Sequence, residues 1–244
     1  MTAQPIEHLP DAVLRRVRGH HAFEACVEQL ATAIRLGVYP TGSTLPAERD
    51  LATRLGVSRA TLREAMAALR QAGLVETTRG RTGGTVVTRR GRGTFARRNA
   101  SITPEQRRDW LDALEFRRVV EPAAASLAAR AELDDDQQAS LQTAHDAVAK
   151  AKGAGSHRQA DSRFHLTVAA LSGSPRTIEA VTSVQSSLHE MLLSIPFLGA
   201  NISHSHRQHR DLTTAILRGR PERAHQVMEE HCDDTAALLR AFLG

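Results

Sequence analysis

Aromatic residues, cysteines and long apolar runs are all scarce in this chain of 244 residues. Phe, Trp and Tyr together make up only 3% of it, whereas alanine, leucine and arginine are frequent, which favours helices over sheets. No apolar run approaches the roughly 20 residues of a membrane span, and the start of the chain lacks the apolar core of a signal peptide. We therefore expect a mostly helical cytoplasmic protein.

The two cysteines, Cys26 and Cys232, lie far apart and form no CxxC pair. Their number and spacing argue against a disulfide-rich secreted framework and against a cysteine-based zinc knuckle. We expect both thiols to be buried as small apolar groups.

Positive charge is concentrated in the first part of the chain. Residues 1–100 contain 16 Lys and Arg against 8 Asp and Glu, whereas residues 101–244 contain 16 against 19. A basic part followed by a mildly acidic part suggests that the first meets a polyanion and the second has another task. The length also fits two domains of ordinary size.

The basic part shows the pattern of three successive helices. Apolar residues recur at intervals of three and four from 20 to 35, which is the stripe of an amphipathic helix. Pro46 fits the first turn of a second helix that ends at Gly56. One residue later, Ser58 is a good N-cap for a third helix, which Gly73 terminates. Two short helices joined by so tight a turn predict a helix-turn-helix, whose second helix enters the major groove of DNA.

Two short strand patterns, at 74–78 and 85–87, follow the third helix and flank a glycine-rich turn. Together they predict a small β-hairpin wing, whose tip can approach DNA closely because glycine has no side chain. On the second helix of the motif, Arg59 can donate two parallel hydrogen bonds to guanine, and the hydroxyl groups of Ser58 and Thr61 can bond phosphate or base.

From residue 104 onward the patterns are helical almost throughout. Turn signals separate six helices, predicted at 104–131, 134–151, 156–171, 175–194, 203–218 and 221–242. We therefore predict a winged helix-turn-helix at 15–88, an arginine-rich linker at 89–103 and an all-α helical bundle at 104–244. The fold class expected for the whole chain is mostly α.

Four potential metal ligands have compatible positions in the helical part. Asp161 and His165 are four residues apart on one helix face, a spacing that can chelate one ion. His209 and His231 lie ten residues before and ten after the turn at 219–221, so an antiparallel hairpin places them at equal height. One carboxylate and three imidazoles suit a divalent ion, with zinc ahead of nickel or manganese. We interpret His204 and His206 as exposed polar residues instead.

The segments LPAERDLATRLGVSRATLREAMAALRQAGLV and RGRTGGTVV resemble the winged helix-turn-helix of GntR-type regulators. The resemblance covers about residues 25–88 without a gap, and the motifs occur in the family's order and spacing. It implies operator contacts from residues of the two helices and of the wing, which are Arg49, Ser58, Arg59, Thr61, Arg63, Gly80, Arg81, Thr82 and Gly83.

The segments EFRRVVEPAAASLAAR and DSRFHLTVAALSGSP are similar to the helical, FCD-type ligand-binding domain of the FadR subgroup of the same family. Metal-containing members use one Asp and three His in this order, which implies ligands at Asp161, His165, His209 and His231. The resemblance also implies that Arg117 pairs with an effector carboxylate. From the residues alone, Arg117 can equally form an ion pair with Glu121, four positions further on.

The resulting hypothesis is a transcriptional regulator, usually a repressor, that binds a palindromic operator as a homodimer and responds to a small carboxylate at a metal site. One alternative keeps the fold but replaces the metal site with an apolar pocket for an acyl ligand. Another is a metal-dependent hydrolase. No carboxylate lies between Asp161 and His165 to act as the general base, and no nucleophile elbow is found, which argues against the hydrolase.

Overall fold

The computed structural model describes five stretches of the chain, residues 9–17, 22–78, 84–88, 102–193 and 199–243. The chain divides into two compact units, Met1–Ala100 and Ser101–Gly244. A helix-turn-helix with a two-stranded hairpin forms the first unit, and the second is helical, so the predicted fold class is confirmed. Most of the predicted linker, residues 89–101, lies outside the described residues.

The first unit contains four described helices and one antiparallel hairpin. Their bounds are α1 Leu9–Val13, α2 Ala22–Arg35, α3 Glu48–Leu55, α4 Arg59–Gln71, β1 Val75–Thr78 and β2 Gly84–Val87. The sequence patterns did not predict α1, because five residues are too few to show a helical period. The strands pair with Val75 opposite Val87 and Thr78 opposite Gly84.

A tight turn joins α3 to α4 and sets the start of α4. Gly56 ends α3 with a φ of 68°, a left-handed conformation that favours glycine. Ser58 then caps α4 by accepting a hydrogen bond from the backbone N–H of Thr61. Apolar residues on one face of α4 are buried against α2 and α3, and these are Leu62, Ala65, Met66 and Leu69.

Six described helices form the second unit. Their bounds are α5 Pro104–Arg130, α6 Asp135–Lys150, α7 Ala154–Leu171, α8 Pro175–Leu193, α9 Gly199–Leu217 and α10 Pro221–Leu243. The largest departure from the predicted bounds is the start of α9, four residues earlier. No helix in the described stretches is both long and apolar enough to cross a membrane.

Helix α7 lies in the interior of the second unit. Every residue from Ser162 to Ala169 is buried, and α5, α6 and α8 all pack against it. A helix that is buried all round faces no water, so its polar side chains require partners inside the protein. Asp161 and His165 lie on this helix.

Candidate metal centre and nucleic-acid interface

The amino end of α4 presents a preformed polar surface. Ser58 Oγ lies 3.0 Å from the backbone N of Thr61 and 2.8 Å from the Thr61 hydroxyl, so the first turn is held by its own side chains. Arg59 follows the cap and is exposed. The free N–H groups of a helix start attract anions, so this end of α4 can approach phosphate and base edges together.

Two further arginines predicted to contact DNA are exposed on the same motif. The Nε of Arg49 lies 3.1 Å from Asp50, and the Nε of Arg63 lies 3.5 Å from Glu48. Exposed ion pairs contribute about 1 kcal/mol or less, so either guanidinium can turn to phosphate at small cost. The predicted wing contacts lie outside the described residues; they are Gly80, Arg81, Thr82 and Gly83.

Three buried histidines from three helices meet in the second unit. His165 on α7, His209 on α9 and His231 on α10 each offer a ring nitrogen, and these nitrogens lie within 4.8 Å of one another. The ring centroids of His209 and His231 are 4.7 Å apart, as the predicted hairpin of α9 and α10 requires. Donors around a tetrahedral zinc ion are about 3.4 Å apart, so small side-chain rotations would bring these nitrogens to one ion.

The carboxylate of Asp161 lies beside this cluster. Its two oxygens are 3.7 Å from His209 Nε2 and 4.0 Å from His165 Nε2. The structure therefore brings together all four side chains that the sequence singled out as ligands.

The chemistry of these donors suits a metal ion. Burial and the nearby histidines lower the pKa of His209 and of His231 well below the usual value, so both rings are neutral as ligands must be. Within the described residues, neither nitrogen of His209 has a hydrogen-bond partner. A buried polar group left without a partner costs about 1–3 kcal/mol, and metal coordination would remove that cost.

Glu121 on α5 connects the histidine cluster to Arg117. One of its oxygens lies 2.9 Å from His165 Nδ1 and 3.1 Å from Arg117 Nε. The other accepts a hydrogen bond from Gln185 on α8 at 2.6 Å. Nδ1 of His165 therefore lies beside a carboxylate and Nε2 lies on the side of Asp161, although neither nitrogen makes a hydrogen bond of good geometry to the described residues. Carboxylates outside the ligand set orient metal-binding histidines from such positions.

The buried charge of Glu121 is well compensated. Burial by itself would raise the pKa of this carboxyl, but the positive charge of Arg117 and the contacts with His165 and Gln185 hold it well below the usual value. Cys232 contributes a weak contact, since its Sγ lies 3.7 Å from the same carboxylate. Both cysteines are free and buried, as predicted.

Arg117 keeps unused donors inside the protein. Its side chain is 1% exposed, and its Nε is engaged by Glu121. Among the described residues, neither Nη1 nor Nη2 has a hydrogen-bond partner. The ion pair anticipated from the residues is therefore present, and two nitrogens of the guanidinium remain available for a further acceptor.

Gln208 positions His231 in a similar way, although no sequence pattern identified it. Its amide nitrogen donates to Asp234 at 2.7 Å, which turns its carbonyl oxygen to within 3.1 Å of His231 Nδ1. His231 must then donate from Nδ1, so its Nε2 lone pair is left for a metal ion. His204, exposed as predicted, contacts the same Asp234 carboxylate.

We expect Gln208→Leu to weaken metal binding by about 10–100-fold, because it removes the group that fixes the His231 ring. The measurement is a competition titration with a coloured zinc chelator. Gln226→Leu is the control, since Gln226 is exposed on α10 and donates a hydrogen bond to Glu230. Equal affinities for the two variants would contradict this role of Gln208.

The prediction for His206 was wrong. Its ring is partly buried, and its Nε2 lies 3.1 Å from Nε2 of His157 on α7. The interpretation rested on the position of His206 beside a turn and two residues from His204, and no pattern linked it to His157.

Comparison with known proteins agrees with this architecture. Residues 23–87 match the model of bacterial regulatory proteins of the gntR family, and residues 112–234 match the FCD domain. RmpR of Mycobacterium gastri, named as an HTH-type transcriptional regulator, is 34% identical over 221 residues, which are 85% of this chain and 76% of RmpR. An Escherichia coli protein named for regulation of an L-lactate dehydrogenase operon is 30% identical over 222 residues, covering 82% of this chain and 80% of that protein.

A solved structure shares the fold. Escherichia coli McbR/YncC superposes with a TM-score of 0.52 at 17% identity, over 91% of this chain and 99% of that one. The chain therefore belongs to the gntR family of bacterial regulatory proteins and carries an FCD domain, and it is a DNA-binding transcriptional regulator rather than an enzyme.

Proposed function

We propose that this regulator binds operator DNA as a homodimer and changes its operator affinity, usually as a repressor, when a small carboxylate binds at a metal centre in the FCD domain. The observation that carries the proposal is the buried centre itself, where His165, His209, His231 and Asp161 converge. Buried donors without partners are costly in a protein that does not use them.

The four side chains would hold one divalent ion, zinc ahead of nickel or manganese. Bound there, the ion would supply positive charge and open coordination positions for an effector carboxylate. Gln208 is hydrogen-bonded to His231, and Glu121 lies 2.9 Å from Nδ1 of His165, so both would orient imidazoles for coordination. The polar lining supports this version over a metal-free acyl pocket, which would be apolar.

Arg117 would bind the effector carboxylate through Nη1 and Nη2. A planar guanidinium can donate two parallel hydrogen bonds to a carboxylate, and these two nitrogens are the ones without protein partners among the described residues. The relative named for an L-lactate dehydrogenase operon supports a small carboxylate as the class of effector. Such a ligand would occupy a site whose walls come from α5, α7, α9 and α10.

Coupling to DNA would follow from differential binding. An effector that binds one arrangement of these helices better than another shifts the population toward it, and operator affinity changes by the same coupling energy. In a symmetric dimer, that shift would move the two recognition helices to a separation that no longer matches the spacing of the operator half-sites.

The test is metal analysis of the purified chain, followed by binding to its own upstream DNA with and without a panel of small carboxylates. We expect one ion per chain and an operator affinity that changes with at least one carboxylate. A metal-loaded protein that binds DNA but responds to no organic acid would contradict the effector part. DNA binding by a protein that never retains metal would contradict the metal part.

The α4 interface makes a separate prediction. Arg59→Ala should weaken operator binding by about 1–3 kcal/mol and relax the preference for the operator sequence, because it removes a contact to a base edge. The measurement is fluorescence anisotropy with operator DNA and a scrambled duplex. Arg70→Ala is the control, since Arg70 is exposed at the other end of α4 and bonds to Thr77. Equal operator affinities for the two variants would show that the amino end of α4 does not read DNA.

A further inference from the structure

Two histidines outside the metal centre face each other across α7 and α9. His157 Nε2 and His206 Nε2 are 3.1 Å apart, and the rings are stacked with centroids 5.3 Å apart. His157 is 8% exposed, and His206 is half-buried. Neither residue takes part in the site described above.

The separation of these nitrogens fits two ligands of one ion. With bonds of about 2.1 Å, two neighbouring nitrogen ligands lie about 3.0 Å apart at a right angle and about 3.4 Å apart in a tetrahedron. The observed distance falls between these values. A hydrogen bond between two neutral rings has a similar length, so an experiment must separate the two arrangements.

The pair lies next to the main centre on both helices. His157 precedes Asp161 by four residues on α7, and His206 precedes His209 by three on α9, so each is one helical turn away. Burial and the neighbouring His157 lower the pKa of His206, and the negative charge of Asp161 acts against that shift. The same negative charge would favour a cation held between the two rings.

We propose that His157 and His206 form a second, weaker site for a borderline divalent cation such as zinc, cobalt or nickel, one helical turn from the main centre. Two protein ligands leave the other positions to water, which makes such a site weaker than one with four protein ligands. His206 in the pair is half-buried, whereas His209 in the main centre is only 1% exposed. The pair is thus the more accessible of the two sites.

The experiment is a cobalt titration of the metal-depleted full-length chain, with the ions counted by native mass spectrometry and the visible spectrum recorded. We expect two ions per chain at saturation, the second binding at least 10-fold more weakly than the first. His157→Gln and His206→Gln should each stop at one ion and leave the affinity of the first within 2-fold. His225→Gln, altered at an exposed position of α10, should still bind two.

Two outcomes would overturn the second site. One is a wild-type chain that saturates at one ion, and the other is a second ion that persists unchanged in both variants. The second-site proposal rests on the location proposed for the main centre. The His209→Ala variant tests the two proposals separately. We expect that variant to keep one weakly bound ion, which His206→Gln then removes; retention of the tight ion in His209→Ala would reject the main centre instead. Thermal unfolding of each variant identifies any general loss of folding.

Discussion

His209→Ala should abolish tight metal binding, so that the dialysed protein contains almost no metal where the parent contains one ion per chain. The His209 ring lies near those of His165 and His231, and its Nε2 is 3.7 Å from Asp161. Loss of a residue that only orients a ligand costs about 10–100-fold in affinity, so loss of a ligand should cost more than 100-fold. The measurement is elemental analysis after dialysis, with a chelator competition for the affinity.

The control for this variant is His225→Ala, because His225 is an exposed histidine of α10. It should retain the full metal content. We also expect the His209→Ala protein to stay folded and bind operator DNA without any response to carboxylates. If it kept one ion per chain after dialysis, the assignment of the centre would be wrong.

Arg117→Ala should have the largest effect on stability. Arg117 and Glu121 are each 1% exposed and form an ion pair at 3.1 Å. Removal of one partner of a buried pair leaves an uncompensated charge and costs about 3–5 kcal/mol. The variant should also lose the response of operator affinity to carboxylates, since the donors for the effector are gone.

The unfolding measurement can be made specific to the FCD domain. Trp110 is the single tryptophan of the chain, and it is buried in the second unit against Leu114, Leu188 and Leu239. Its fluorescence during urea denaturation therefore reports the unfolding of that unit.

Arg118→Ala is the matched control for Arg117→Ala. Arg118 is the next residue and forms ion pairs with Glu229 and Asp233, but its side chain is 48% exposed. Its loss should therefore destabilise the unit far less than the loss of Arg117, because solvent screens exposed ion pairs. If the two variants were equally stable, the buried ion pair of Arg117 would contribute no more to stability than the exposed pairs of Arg118. That result would contradict the prediction for Arg117.

Glu121 links these two predictions physically. It contacts the metal-ligand candidate His165 and the effector-binding candidate Arg117 through the same oxygen. A carboxylate ligand that draws Arg117 away would leave Glu121 without its cationic partner, in contact with His165 and Gln185. We therefore expect effector binding and metal binding to change each other's affinity. Thermodynamic linkage requires the two effects to be equal in size.

The sequence by itself determined the helix-turn-helix, because its signals are local. Gly56 ends α3 and Ser58 caps α4 through contacts within one helical turn. The apolar residues of α4 recur at helical spacing within a single short segment. The same holds for the helices of the second unit, whose Gly and Pro breaks are visible along the chain. Asp161 and His165 also share one helix, so their spacing was sufficient to pair them.

Only the tertiary structure decided which side chains surround those candidate ligands. Glu121 and His165 are brought together by the packing of α5 against α7, and His157 and His206 meet across α7 and α9. Such contacts join residues far apart in sequence, and a single polar residue on a helix has no period to reveal its partner. The candidate ligands could be chosen from spacing and resemblance, whereas the groups around them depend on how buried helices rotate and pack.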